Sequence, residues 1–477
     1  MTAILGAGLS GLSAGYYLLR KGLPTPTVIY EASSRIGGWI RTERFDGEGY
    51  VFEAGPRTIR PKGPAARNTL DLIEEVGLGE HVHPIFSNHV AARNRMIYAK
   101  GRLNMLPSDL SGVVKTVPPF TKPLFFAGFK DLFGGKSKEK LDDEAMYSFV
   151  ERRFGKEIAD YAISSMLCGI CAGDAKQISV KFLMKSLFEV EQKHGGVVKG
   201  MLLEALGKKD KDSSKQVPLE GLAKRAKSEN WSIYSIQGGL QTLPNRLKSV
   251  LDEGQVDVRT DVKCEEIEFK GNKVELRVDG EERTLDRLIS SIPSYKLAKY
   301  LAKQHPILAQ ELAAIPFVDV GVINLRFKNP DLLKQKAFGF LVPPIEKLPI
   351  LGCIFDSCCF DMEDNTVLTV MMGGAWFRQW FGENPSEEQL LEVALKHVNQ
   401  ILNINQKPDS YKVNILRRCI PQYVVGHQKR VDGIKQYIRD HKLPLGLCGA
   451  SYDGVGVNDV ILSARVSVDE VVGANKN

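Results

Sequence analysis

The sequence is short of the features that mark secreted, fibrous or nucleic-acid-binding proteins. Its eight cysteines, spread over 477 residues at Cys168, Cys171, Cys264, Cys353, Cys358, Cys359, Cys419 and Cys448, are too few for a disulfide framework and read as packing residues. Cys168-Gly-Ile-Cys171 has redox or metal spacing, but no second pair and no histidine stands near it, so no metal site is expected. An excess of one charge is also missing: 64 basic against 57 acidic residues leave +7, dispersed along the chain, which argues against a nucleic-acid partner. Beyond the N-terminus no charge-free run reaches the roughly 20 residues of a membrane-spanning helix. The uncharged stretch Thr2–Leu19 lacks a basic flank and is interrupted by Gly6, Gly8, Gly11 and Gly15, so it reads as neither signal peptide nor span. The expectation is a soluble or one-face membrane protein. No Ser/His/Asp set or paired catalytic carboxylates stand out, which leaves the bond-making to a bound cofactor.

What is present is an ordinary globular mixture, 43% hydrophobic and 25% charged, long enough for two to four domains. Thr-Ala-Ile-Leu is a short buried strand, followed at once by Gly6-Ala7-Gly8-Leu9-Ser10-Gly11 and then by Leu12, Tyr16 and Leu19 at helical spacing up to Gly22. This strand, turn and helix suit a dinucleotide: Gly6 makes the turn, Gly8 admits the pyrophosphate, and Gly11 lets helix and strand pack closely. A second strand, Thr27–Tyr30, ends at Glu31, where a carboxylate can accept hydrogen bonds from ribose hydroxyls. Next comes Glu31-Ala-Ser-Ser-Arg35-Ile-Gly37-Gly38-Trp39-Ile-Arg41, in which Arg35 and Arg41 can meet phosphate charge and the glycines let the chain run along the cofactor. At the far end Leu445–Ser451 is a strand running into small residues, and Gly454-Val455-Gly456-Val457-Asn458-Asp459 opens a second helix whose N-terminus favours negative charge.

Because both termini serve one cofactor, the dinucleotide domain is expected to be discontinuous, with the middle of the chain inserted into it. Trp231 through Leu243 opens a helix, Val256–Arg259 and Val262–Cys264 read as strands, and Lys270–Lys273 turns a hairpin into Val274–Val278. Leu288–Pro293 is a further buried strand. Val318–Arg326 and Thr366–Met372 are strands, and Glu387–Leu402 is a helix opened by Ser386 and Gln389 as a capping box. These place an α+β substrate domain between 306 and 440. Residues 142–205 read as mostly helical, and Gly207–Lys215 as a solvated charged loop. In Pro118–Phe133 five phenylalanines stand with Lys122 and Lys130, and Lys136, Lys138 and Lys140 follow, a mixture suited to an anionic membrane surface. Phe125, Phe126 and Phe129 are the expected contacts.

The Glu31–Arg41 segment resembles the fingerprint extension of the flavin amine oxidase and desaturase superfamily. Together with Glu53-Ala-Gly55-Pro56-Arg57-Thr58-Ile-Arg60-Pro, Ala337–Pro343, Met372–Trp376, Ile420–Tyr423 with Gly426-His427, and Gly449–Asn458, it resembles the oxygen-dependent protoporphyrinogen oxidases of the mitochondrial animal type over essentially the whole chain. The resemblance implies a Rossmann-like FAD-binding domain (1–84, 231–293, 441–477), an inserted substrate-binding domain (85–110, 205–230, 294–440) and a helical membrane-associated domain (111–204), an α/β plus α+β architecture. It implies non-covalent FAD against Gly55, Pro56, Arg57, Thr58, Val262, Ala450, Val455, Gly456 and Val457, with Val262 beside the adenine. It implies a tetrapyrrole substrate with Arg95 on a propionate, Phe338, Leu341 and Met371 lining the macrocycle, and Met166 and Gly169 on another wall. Mammalian relatives place an arginine where this chain has Cys168. The implied reaction oxidises protoporphyrinogen IX with molecular oxygen, giving hydrogen peroxide, on the intermembrane-space side of the mitochondrial inner membrane. A homodimer and hand-off to the next heme-pathway enzyme are compatible with it. The rival is another oxidase or desaturase of the superfamily, acting on an amine or a polyene; the aromatic cage of the amine oxidases is not identifiable in the sequence.

Overall fold

Thr2–Leu5 is buried at all four positions and pairs in parallel on both sides, with Thr27–Tyr30 and with Arg287–Ser290. A short apolar run without alternation forms such a strand, covered on both faces. In the computed structural model, which describes residues 1–22, 26–45, 49–108, 110–133, 141–207, 219–360, 362 and 364–473, it is the centre of a five-stranded parallel sheet. The order is Leu445–Leu447, Arg287–Ser290, Thr2–Leu5, Thr27–Tyr30, Asp257–Arg259. Three separated stretches, Met1–Phe86, Glu220–Pro316 and Lys429 onward, make up this first unit. Its helices Leu9–Arg20, Thr242–Glu253 and Val457–Gly473 bury aliphatic side chains such as Leu12, Leu247 and Ile461. The Trp231–Leu243 stretch, expected to open a helix, is first a strand. Trp231–Ile236 pairs antiparallel with Val82–Phe86, because its aromatic and β-branched side chains suit a pleated surface. Val262 lies outside the strand expected there, which runs from Cys264 to Lys270.

The second unit holds Ser87–Leu219 and Phe317–Gln428. Its seven-stranded sheet has the order Ser410–Pro421, Phe317–Phe327, Thr366–Gly374, Ile350–Phe355, Gly339–Leu341, Met96–Ala99, Arg102–Met105. One face buries Met96, Phe340, Val370 and Met372 against Leu390, Ala394 and Val398 of the helix Glu387–Leu402. Ser386 caps that helix by accepting the Gln389 N–H at 3.2 Å. The opposite face carries Val320, Val322 and Leu351, packed with Cys168 of the helix Ser164–Cys171 and with Met371.

The boundaries differ from the expected ones. Residues 220–230, 294–316 and 429–440, assigned above to the substrate domain, belong to the first unit, where His305 and Tyr437 meet at 3.2 Å. The helices of 111–204 belong with the second unit's sheet rather than forming a third body. Within them Arg153 pairs with Asp131 and Glu191, all three almost fully buried, and Arg152 pairs with Glu144 and Glu191. Asp131 also accepts the Val198 N–H at 2.7 Å, so it ties the helix Phe125–Phe133 to the helix Val197–Gly207. Both helices turn apolar side chains outward: Phe126, Phe129 and Phe133 are 51, 50 and 78% exposed, and Met201, Leu202, Leu203 and Leu206 are exposed as well. Lys136, Lys138 and Lys140, and the loop after Gly207, lie outside the described residues. No helix among the described residues is long and apolar enough to cross a membrane.

Candidate cofactor and substrate sites

The first unit's glycine-rich turn is built around two close approaches. A Cβ on Gly11 would stand 1.8 Å from the Gly6 carbonyl oxygen, so strand and helix pack this tightly only with glycine. A Cβ on Gly38 would stand 3.1 Å from Gly8 Cα, where Gly37 donates its N–H to Ala7 at 2.8 Å. No side chain caps the helix Leu9–Arg20 at its N-terminus, which leaves first-turn N–H groups, those of Leu9, Ser10 and Gly11, for an anionic group. Glu31 accepts the Ala7 N–H at 2.8 Å with one oxygen and the Ser33 N–H and Oγ at 2.9 and 2.7 Å with the other. The oxygen that accepts from Ala7 keeps a lone pair for a hydroxyl. Val262 donates its N–H to the Glu31 carbonyl at 2.9 Å, which sets it at this same place.

Arg35 takes a role that its position in the motif does not reveal. Its guanidinium donates to the carbonyls of Ile36 at 3.1 Å, Ile40 at 3.2 Å and Gly38, so it braces the Gly37-Gly38-Trp39 loop. Trp39 is left 42% exposed. Gly55 lies with its Cα against this loop: a Cβ there would stand 2.1 Å from the Trp39 carbonyl oxygen. The Gly55–Thr58 run follows the buried Glu53, which accepts from Leu240 N at 2.8 Å and Thr42 Oγ1 at 2.9 Å; Arg57 is buried, and Pro56 and Thr58 half-buried.

Asn458 donates to the Arg60 carbonyl at 2.9 Å, which joins the start of the helix Val457–Gly473 to this segment. Asp459 caps that helix by accepting the Gly456 N–H at 3.1 Å, and burial raises its pKa. Gly449 stands beside Ser10, whose Oγ is 3.3 Å from the place of a Cβ. Val455 and Ala450 are half-buried between these points. The glycine cradle, the helix start without a side-chain cap and the held carboxylate fit a dinucleotide.

The second unit brings together most of the residues assigned to the tetrapyrrole. Arg95, exposed, lies over the half-buried ring of Phe338. Two residues on, Ile97 pairs with Leu341; Leu341 pairs with Gly352, and Gly352 with Met371. Gly352 was not foreseen. A Cβ there would meet Leu341 Cδ2 at 3.0 Å, so its absence lets Leu341 fold over the strand. A Cβ on Gly169 would meet the same atom at 2.9 Å, which puts the helix Ser164–Cys171 against Leu341. Met166 is one turn earlier on that helix, half-buried. Cys168 and Cys171 are buried, and burial pushes both thiols up, Cys171 to about 12, so neither offers a thiolate at neutral pH. Among the described residues no cluster of three or more His, Cys, Asp and Glu could hold a metal ion.

Known proteins bear on both sites. Residues 9–472 match the family described as flavin containing amine oxidoreductase. The chain is 38% identical to the protoporphyrinogen oxidase of Bos taurus over 481 residues, covering 99% of this chain and 98% of that protein. It is also 38% identical to that of Homo sapiens over 483 residues, with the same coverage. A crystal structure of an Exiguobacterium sp. 255-15 protein superposes with a TM-score of 0.78 at 22% identity, covering 98% of each chain, and so shares the fold.

Proposed function

Since the chain belongs to the flavin containing amine oxidoreductases and, within them, to the protoporphyrinogen oxidases, we infer that it oxidises protoporphyrinogen IX to protoporphyrin IX as an FAD-dependent oxidoreductase. The full-length likeness to two mammalian enzymes of that name carries this reading. Bound FAD supplies hydride acceptance and, with molecular oxygen, its own reoxidation to give hydrogen peroxide. The protein's part is to bind, orient and exclude water. Gly8, Gly11 and the first-turn N–H groups hold the pyrophosphate, and Glu31 holds a ribose. Gly55–Thr58, Val262, Ala450 and Val455–Val457 complete the cradle. Arg95 pairs with a propionate and is kept in place by Phe338 beneath it. Phe338, Leu341, Met371, Met166 and Gly169 give the macrocycle apolar surface, which suits a large ring with few charged arms.

The location that goes with this reading is mitochondrial, peripheral on the intermembrane-space side of the inner membrane. The outward phenylalanines and leucines of Phe125–Phe133 and Val197–Gly207 support a membrane-facing surface. A homodimer and direct transfer of product to the next heme-pathway enzyme accord with that location.

The purified protein, incubated with protoporphyrinogen IX and oxygen, should develop porphyrin fluorescence and peroxide together. Oxidation of amines or polyenes, with no porphyrin formed, would overturn the reading in favour of another branch of the superfamily.

A further inference from the structure

The helix Ser164–Cys171, which carries Met166 and Gly169, continues directly from the helical segment Ile158–Ile163. It is fastened at its C-terminal end. Gln422, 5% exposed, donates its side-chain amide to the Cys171 carbonyl at 2.9 Å. Ala375 donates its N–H to the Ala172 carbonyl, also at 2.9 Å. These bonds satisfy acceptors that a helix end leaves open. The fit around the amide is close: a Cβ on Gly173 would stand 2.4 Å from Gln422 Oε1. The turn bearing Gln422 is itself held, since Ser179 donates to the Tyr423 carbonyl at 2.8 Å and Val425 to that of Gln177 at 3.0 Å. The helix buries Leu167, Cys168 and Cys171, but its packing is not closed on every side. A cavity of about 360 Å³ adjoins Cys168, with Val342, Leu351, Trp376 and Trp380 among its walls. On that side the helix has room to shift.

We propose that Gln422 is a positioning residue for the substrate wall: its bond to the Cys171 carbonyl sets the spacing of Gly169 and Met166 from Leu341, and with it which porphyrinogens the wall accepts. This rests on the tetrapyrrole reading given above. Loss of the bond frees the helix to shift toward the cavity and widens the space beside Leu341.

The test uses full-length, flavin-loaded protein carrying Gln422→Met, which keeps the volume and removes the donor. Initial rates are measured with protoporphyrinogen IX and with coproporphyrinogen, which bears four propionates. KM for protoporphyrinogen should rise about tenfold with kcat little changed, and the ratio of the two kcat/KM values should move by about fivefold or more toward the bulkier substrate. The amount of folded enzyme cancels in that ratio. Thr369→Val is the control. It breaks a buried bond to Asp356 at 2.6 Å in the same sheet, and should lower the melting temperature while leaving the ratio alone. Should Gln422→Met fail to fold, Gln422→Asn keeps an amide one methylene too short to reach, and the same shift is expected. An unchanged ratio, or an equal shift in Thr369→Val, overturns the positioning role. An unmutated protein that forms no porphyrin overturns instead the reading on which it rests.

Discussion

Arg95 lies over Phe338 with its guanidinium carbon 5.8 Å from the ring centroid. A guanidinium can meet a propionate carboxylate with two parallel bonds. Arg95→Ala should lose about 1.5–3 kcal/mol of binding, roughly ten- to a hundredfold in kcat/KM for protoporphyrinogen IX. Arg95→Lys should recover only part, since an ammonium lacks the planar fork. Flavin content, read from the visible spectrum, should match wild type in both. Full activity in the alanine variant would remove Arg95 from the site.

The cofactor should be held without a covalent bond. Acid or heat denaturation followed by centrifugation should leave the flavin in the supernatant. Gly11→Ala should yield protein with most of its flavin missing, because the added methyl group cannot coexist with the Gly6 carbonyl 1.8 Å from its place. A yellow pellet would contradict the first expectation, and a fully loaded Gly11→Ala protein the second.

Replacing Phe126, Phe129 and Phe133 together by serine should weaken binding to anionic liposomes, measured by flotation, and leave the melting temperature within a few degrees. Side chains half or more exposed contribute little to the core, whereas burying an aromatic ring is worth roughly 3–5 kcal/mol. A triple variant that unfolds would show that these rings pack inward. Phe125 is half-buried and so a poorer choice than Phe133 for this test.

Acid should weaken the first unit through His305. Burial lowers its pKa, and His441 nearby lowers it further. A histidine with a depressed folded-state value binds fewer protons folded than unfolded, so its stabilisation is present above an unfolded value of about 6.5 and is lost as pH falls through the folded one. The melting temperature should drop between pH 7 and pH 5. His305→Gln, melted alongside by circular dichroism, should show a shallower drop. An identical slope in the two proteins would exclude His305 as a source.

The strand, turn and helix of the N-terminus were legible because their signal is local. Gly6 to Gly11 occupy one turn, Thr27–Tyr30 is a strand to the residue, and Lys270–Lys273 marks a hairpin by its own chemistry. The substrate wall was not legible from periodicity. Met96–Ala99 is buried at every position, and its parallel partner Gly339–Leu341 lies far along the chain, so nothing in either segment names the other. Only family motifs singled out Arg95 and Leu341. Arg35 illustrates a different limit: its type suits phosphate, yet the loop it sits in offers three carbonyls closer at hand. Gln422 stood out only as part of the Ile420–Tyr423 motif and with no role, because a helix-end carbonyl becomes an address for a glutamine only once the chain has folded.

The order of strands in the five-stranded sheet also governs when the protein can first become an enzyme. Leu445–Leu447 pairs with Arg287–Ser290, which pairs with Thr2–Leu5, and the helix Val457–Gly473 packs on Leu9–Arg20. During translation the first strand emerges from the ribosome long before either of these later segments exists. Its apolar faces must therefore wait uncovered. The cradle proposed for the flavin is complete only when the helix Val457–Gly473 arrives. A chain cut short before Leu445 lacks both that strand and that helix, so retention of flavin should report that both have been made.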